Sequence, residues 1–180
     1  MSETLAILQR FDFLTALWLF PIAVTLHELE EWNIVRWYEQ NFVDLPHLTD
    51  TGLRAWIVFS SLVGLLWTGI AILPGNPTVA AWVLLLAFVL MGQNALQHIY
   101  YLFYFRRNAP GIVTSVLLLI PTIVYLVARA VQQGYVPIWY AILLVVLLIP
   151  HLSQTVRARN TMLPSLHAVH QFGAALAKRF

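Results

Sequence analysis

The chain has 180 residues, 60% of them hydrophobic and only 10% charged. Soluble domains carry about 25% charged residues, so a mean hydropathy of +0.75 excludes an ordinary soluble enzyme and marks a single integral membrane domain over residues 1–180. The net charge of +2 is spread over scattered arginines with no basic stripe, which excludes nucleic acid as a partner, and the absence of cysteine excludes disulfides and thiolate ligands.

The fold class expected is an all-α bundle of five transmembrane helices. Residues 1–12 read as a short interfacial turn. With Glu3, Asp12 and no small-residue cleavage site, they do not resemble a cleaved signal peptide. The first span covers residues 13–32, and Pro21 predicts a kink ahead of the charged stretch that follows. A polar connection over 33–51 comes next, with helix continuing to Tyr38. The second span, 53–73, stops at Pro74-Gly75-Asn76-Pro77, a strong turn signal. The third covers 79–104 and ends before Arg106-Arg107-Asn108. Pro110-Gly111 opens the fourth, 111–131, and the fifth runs over 136–150. Residues 151–180 read as a polar cytoplasmic tail.

Arginine and lysine divide unequally between the two ends of such a bundle. One end carries Arg36, Arg54, Arg106, Arg107, Arg157, Arg159, Lys178 and Arg179, and the other only Arg10 and Arg129. The positive-inside rule then places the N-terminus outside and the C-terminus in the cytoplasm.

The chemistry concentrates in His27-Glu28-Leu29-Glu30-Glu31. Counting about 1.5 Å per residue from Phe13, His27 lies roughly 21 Å into a hydrocarbon core about 30 Å thick. Ionisable groups at that depth face a protein interior or a wet cavity and pair with something. On a helical wheel His27, Glu30, Glu31 and Ile34 share an arc of roughly 100°, with Glu28 to one flank. Span parity brings the ends of spans one, three and five and the start of span four to the same membrane face. That face holds Asn94, His98 and Tyr101, then Thr114 and Ser115, and all six histidines, including His47, His151, His167 and His170. Bland readings compete: interhelical hydrogen bonding for Asn94 and His98, an interfacial position for His151, a solvated face for His167 and His170, and backbone bonding for Thr114 and Ser115.

His27-x-x-Glu30-Glu31, Asn94-x-x-x-His98 and Pro110-Gly111-x-x-Thr114, in this order, resemble the HXXEE-motif family of small multi-spanning prokaryotic membrane proteins. The resemblance covers residues 13–131 and implies a metal-dependent enzyme of the prokaryotic inner (plasma) membrane. From the residues, His27, Glu31 and His98 are expected to bind a divalent ion. Two imidazoles and a carboxylate leave an open position, as catalytic zinc sites do, so zinc is preferred, with iron or manganese as alternatives. Glu30 is expected as the base and Asn94 as a polarising or orienting group, making Glu30 and Asn94 the catalytic pair. The reaction expected is hydrolysis of a lipophilic or membrane-delivered substrate in a pocket near the cytoplasmic face, with the lipid bilayer as partner and homo-oligomerisation left open. The alternatives are a proton- or ion-coupled carrier and a haem b protein using His27 with His98 or His151.

Overall fold

The computed structural model describes residues 11–179 and is all helical, with no strand among them. Five helices are long and apolar enough to cross a membrane: α1 (Phe13–Glu30), α3 (Asp50–Ile72), α4 (Pro77–Phe105), α5 (Ile112–Gln132) and α6 (Trp139–Ala158). Among the described residues two shorter helices join them, α2 (Val35–Asn41) and α7 (Pro164–Ala177). The protein is a multi-pass membrane protein. The interfacial turn expected over 1–12 lies almost wholly outside the described residues.

Local sequence explains most boundaries. Thr49 caps α3 by accepting the Gly52 N–H at 3.0 Å, and Asn76 caps α4 through the N–H groups of Thr78 and Val79, with Pro77 at the first helical position. Within α1 the helix is interrupted at Leu17 and Trp18. A proline at position 21 cannot donate to the carbonyl four residues back, and that carbonyl is Leu17's. The interruption lies one turn before the proline, where the missing backbone bond falls. In α5 a widened π turn spans Ser115–Leu119, just ahead of Pro121.

Two features depart from the expectation. Helix α6 does not stop at Pro150 but runs to Ala158. Its second half is held against α4, where the Tyr100 hydroxyl donates to the Val156 carbonyl at 3.4 Å. The segment after it is a docked helix. Gly173 of α7 sits so close to Gly52 in α3 that a side chain at 173 would collide with the Gly52 carbonyl, and one at 52 would crowd the backbone of Ala174 at 3.1 Å. Small residues permit such approach in membrane bundles.

The bundle buries two clusters. The larger joins α1, α4, α5 and α6 around Leu17, Phe20, Leu84, Phe88, Leu126 and Tyr140. The smaller, at the other end, is aromatic: Trp37, Tyr38, Phe42, Tyr101 and Phe105 pack in edge-to-face and tilted pairs. It holds α2 against α4, so the first connection is an ordered cap. By contrast α3 and α6 bury only 22% and 17% of their most apolar windows, so their outer faces are left for lipid. Between the two clusters lies the polar layer.

Candidate metal centre

His27 is fully buried, Glu31 is 7% exposed and His98 4% exposed. Glu31 follows His27 by one helical turn, so the two side chains project from the same stripe of α1. His98 comes from α4, and the two imidazoles meet edge to face at 5.1 Å between centroids. One carboxylate oxygen, Glu31 Oε1, stands 3.1 Å from His27 Nε2 and 2.6 Å from His98 Nε2. One potential ligand atom from each of the three residues lies within 4.8 Å of the other two. Asn94 Oδ1 adds a fourth polar atom, 2.7 Å from His27 Nε2. The rings share one oxygen between them, which leaves no space for a haem macrocycle in between.

The protonation of His27 is fixed from behind. Its Nδ1 lies 3.0 Å from Thr114 Oγ1, and that hydroxyl is 2.6 Å from Glu30 Oε2. A hydroxyl has one proton. The short contact to a carboxylate takes it, in preference to the Gly111 carbonyl at 3.3 Å. Thr114 must then accept from His27 Nδ1–H. With Nδ1–H held there, Nε2, which donates to Asn94 Oδ1 at 2.7 Å, is the nitrogen that would give up its proton to bind a metal. Glu30 is anchored in turn by the backbone N–H groups of Val113 and Thr114, at 3.2 and 2.8 Å. These belong to the first turn of α5, where unpaired donors and the helix dipole favour a carboxylate. Glu30, Thr114 and His27 thus form the carboxylate-to-imidazole relay that orients metal-binding histidines.

Four potential ligand atoms converge: His27 Nε2, His98 Nε2, Glu31 Oε1 and Asn94 Oδ1. The two imidazoles and the carboxylate match the donor set of open catalytic zinc sites. His98 Nδ1 is buried without a partner.

Gly111 closes the centre from α5. Its φ of +93° is a conformation that side chains disfavour, and a Cβ there would lie 2.8 Å from His98 Cε1, 3.0 Å from Glu31 Oε1 and 3.0 Å from His27 Cε1. Any side chain at 111 would enter the space between the ligands. The glycine is a structural member of the site.

The expected residues are brought together, with one rearrangement. His27, Glu31, His98 and Asn94 share the centre, and Thr114 stands directly behind it. Glu30 faces the far nitrogen of His27 and the N-terminus of α5, so it does not face the open side. Glu28 is buried instead and lines the adjacent cavity beside Glu31. The inward face of α1 is centred on Val24 and Glu31, which turns Glu28 in and leaves Glu30 at the rim.

The cavity has a volume of about 370 Å³ and is walled by α1, α3, α4 and α7. Its polar members include Glu28, Glu31, Asn94, Gln97, His98 and His170. His151 also lines it, while His47 is exposed and His167 is half-buried outside it. His170, expected on a solvated face, is 5% exposed, and burial pushes its imidazole pKa down to about 4. Burial likewise raises the Tyr38 phenol above its ordinary range.

The sequence model of one family, described as a protein of unknown function with HXXEE motif, matches residues 18–126, more than half of the chain. The chain belongs to the HXXEE family. The match contains every residue of the metal centre, from His27 through Gly111 and Thr114, and leaves α6 and α7 outside. No curated protein and no solved structure matches this HXXEE-family chain.

Proposed function

We propose that the protein is a metal-dependent intramembrane hydrolase of a lipophilic substrate. The observation that carries this reading is the convergence of His27 Nε2, His98 Nε2 and Glu31 Oε1 at the wall of an apolar cavity, with the His27 proton held on the opposite nitrogen. A divalent ion, zinc by preference, would supply a Lewis acid and a bound water of lowered pKa. The chain's own groups would do the rest. Asn94, level with the ligands, would hold the substrate carbonyl. Glu28 lines the cavity beside Glu31. It would accept the proton as the water oxygen bonds to the carbonyl carbon, then pass it to the leaving oxygen or nitrogen as the acyl bond breaks. Acid and alcohol or amine are the products. In this scheme Glu30 is a positioning residue, since its oxygens are committed to Thr114 and the α5 N-terminus.

The test uses purified protein, zinc-loaded or stripped, with para-nitrophenyl acyl esters as probes. Glu28→Gln should keep its metal and lose turnover by about 10²- to 10⁴-fold. Equal turnover with and without metal would overturn the assignment. A second reading, a proton-coupled carrier, draws on the same buried carboxylate between two imidazoles, which suits a shared proton. It predicts full function in protein that holds no transition metal.

A further inference from the structure

The cavity has a length as well as a volume. Its α3 wall runs from Leu53 to Trp67 and its α4 wall from Tyr101 back to Ala87. Each stretch spans fourteen residue steps, or about 21 Å at about 1.5 Å per residue. A volume of about 370 Å³ is at the small end of ligand sites, about 300–1,000 Å³. Drawn out over that length, it is a narrow slot lying along the helix axes.

The slot is chemically graded. Below the metal centre it is apolar, lined by Phe20, Val24, Val63, Ala87, Leu90 and Met91. Trp67 stands at its far end, the floor, its indole N–H donating to the Val83 carbonyl at 3.1 Å. Towards its other end polar groups join the lining, Tyr38, Tyr101, Ser165 and His170, with His151 entering from α6. His170 Nε2 and His151 Nε2 are both buried with no hydrogen-bond partner, and both residues line the slot. Buried polar atoms are nearly always satisfied, so an unpartnered pair at one end of a ligand-sized space indicates a polar group that belongs there.

We propose that the slot binds one unbranched acyl chain of a single-chain amphiphile, tail towards Trp67 and polar head at His151 and His170, with the acyl carbonyl at the level of His98 and Asn94. This names the substrate class of the proposed hydrolase and rests on that reading only for the placement of the carbonyl; the slot binds a chain with or without metal. From Asn94 or His98 to Ala87 is seven or eleven residue steps, about 10–16 Å. At about 1.25 Å per methylene, the advance of a staggered chain with bonds of about 1.5 Å, this holds about eight to thirteen carbons. The floor is then a length gauge. Gly64 lines the slot, and a Cβ there would meet only Val24 Cγ1 at 3.8 Å, so a larger side chain at 64 would project into the tail space.

The experiment measures binding of a homologous series of saturated fatty acids, the products of acyl hydrolysis, to the full chain in nanodiscs, metal-loaded and stripped. Affinity should rise about fourfold per methylene until the tail meets the floor, then stop rising. Gly64→Leu should move that break to shorter chains and Trp67→Ala to longer ones, while His170→Phe should weaken the matching monoacylglycerols, whose head reaches beyond the carbonyl, in stripped protein without moving the break; equal monoacylglycerol affinity in His170→Phe would overturn the placement of the head. If Gly64→Leu does not fold, Gly64→Ala should give a smaller shift in the same direction. An affinity that climbs without a break, as for simple partition into lipid, would overturn the proposal, as would a break that ignores both Gly64 and Trp67. Binding with a movable break in protein that retains no metal would sink the hydrolase and leave the slot standing. A bound metal with no chain binding would do the reverse.

Discussion

Replacing Thr114 by Val removes one oxygen and little volume. That oxygen accepts from His27 Nδ1 at 3.0 Å and donates to Glu30 at 2.6 Å. With His27 fully buried, the nearest other hydroxyl is Ser115 Oγ, at 3.5 Å, too far to replace it. Leaving a buried N–H without a partner costs about 1–3 kcal/mol. In the metal-bound protein the loss falls on the Nδ1–H tautomer, the one that frees Nε2, and outer partners of this kind are worth about 10- to 100-fold in metal affinity. Thr114→Val should therefore weaken zinc binding about 10- to 100-fold in a chelator competition. Thr114→Ser, which restores the hydroxyl, should recover most of it. Wild-type affinity in Thr114→Val, or equal losses in both variants, would refute the relay.

Gly111→Ala would place a methyl group within 3.0 Å of both imidazoles and Glu31, in a backbone conformation that costs an L residue roughly 1–2 kcal/mol. Metal content should fall to background even though residue 111 offers no ligand. Acid stability should depend on His170, whose pKa is pushed down to about 4 by burial. The unfolded chain takes up its proton near pH 6.5 while the folded chain does not, so stability is full above that pH and is lost as pH falls towards 4. His170→Gln should flatten this part of a thermal-stability profile against pH. For the orientation we propose N-terminus outside, from the arginine asymmetry. Ser2→Cys should then react with an impermeant thiol reagent in intact cells and Lys178→Cys should not; the opposite pattern would invert the bundle.

Much of the site was legible because membrane spans constrain it so strongly. Counting spans and depths was enough to put His27, Asn94, His98 and Thr114 at one level, since helices of fixed rise joined by short turns have few other arrangements. The wheel was less informative about Glu28 and Glu30. It gives relative angles, but the neighbouring helices decide where the inward face is centred, and here they centre it on Glu31. Gly111 looked like a turn residue because neither its positive φ nor the ligands around it can be read from Pro110-Gly111. The docking of α7 was hidden for a related reason. Its sequence is only weakly amphipathic, and its closest contact is a backbone approach between Gly52 and Gly173, which no side-chain pattern announces. Continuation of α6 past Pro150 was equally illegible, because packing against α4 offsets the lost backbone bond.

The account stands on one ion held jointly by α1 and α4. Elemental analysis of detergent-purified chain, beside His98→Ala and Glu31→Gln preparations that elute as single monodisperse species, tests it most directly. The wild type should retain one divalent metal per chain, and both variants should fall to background although the two residues lie on different helices. A wild type that holds no transition metal after loading, or a His98→Ala protein that holds as much as the wild type, would contradict it.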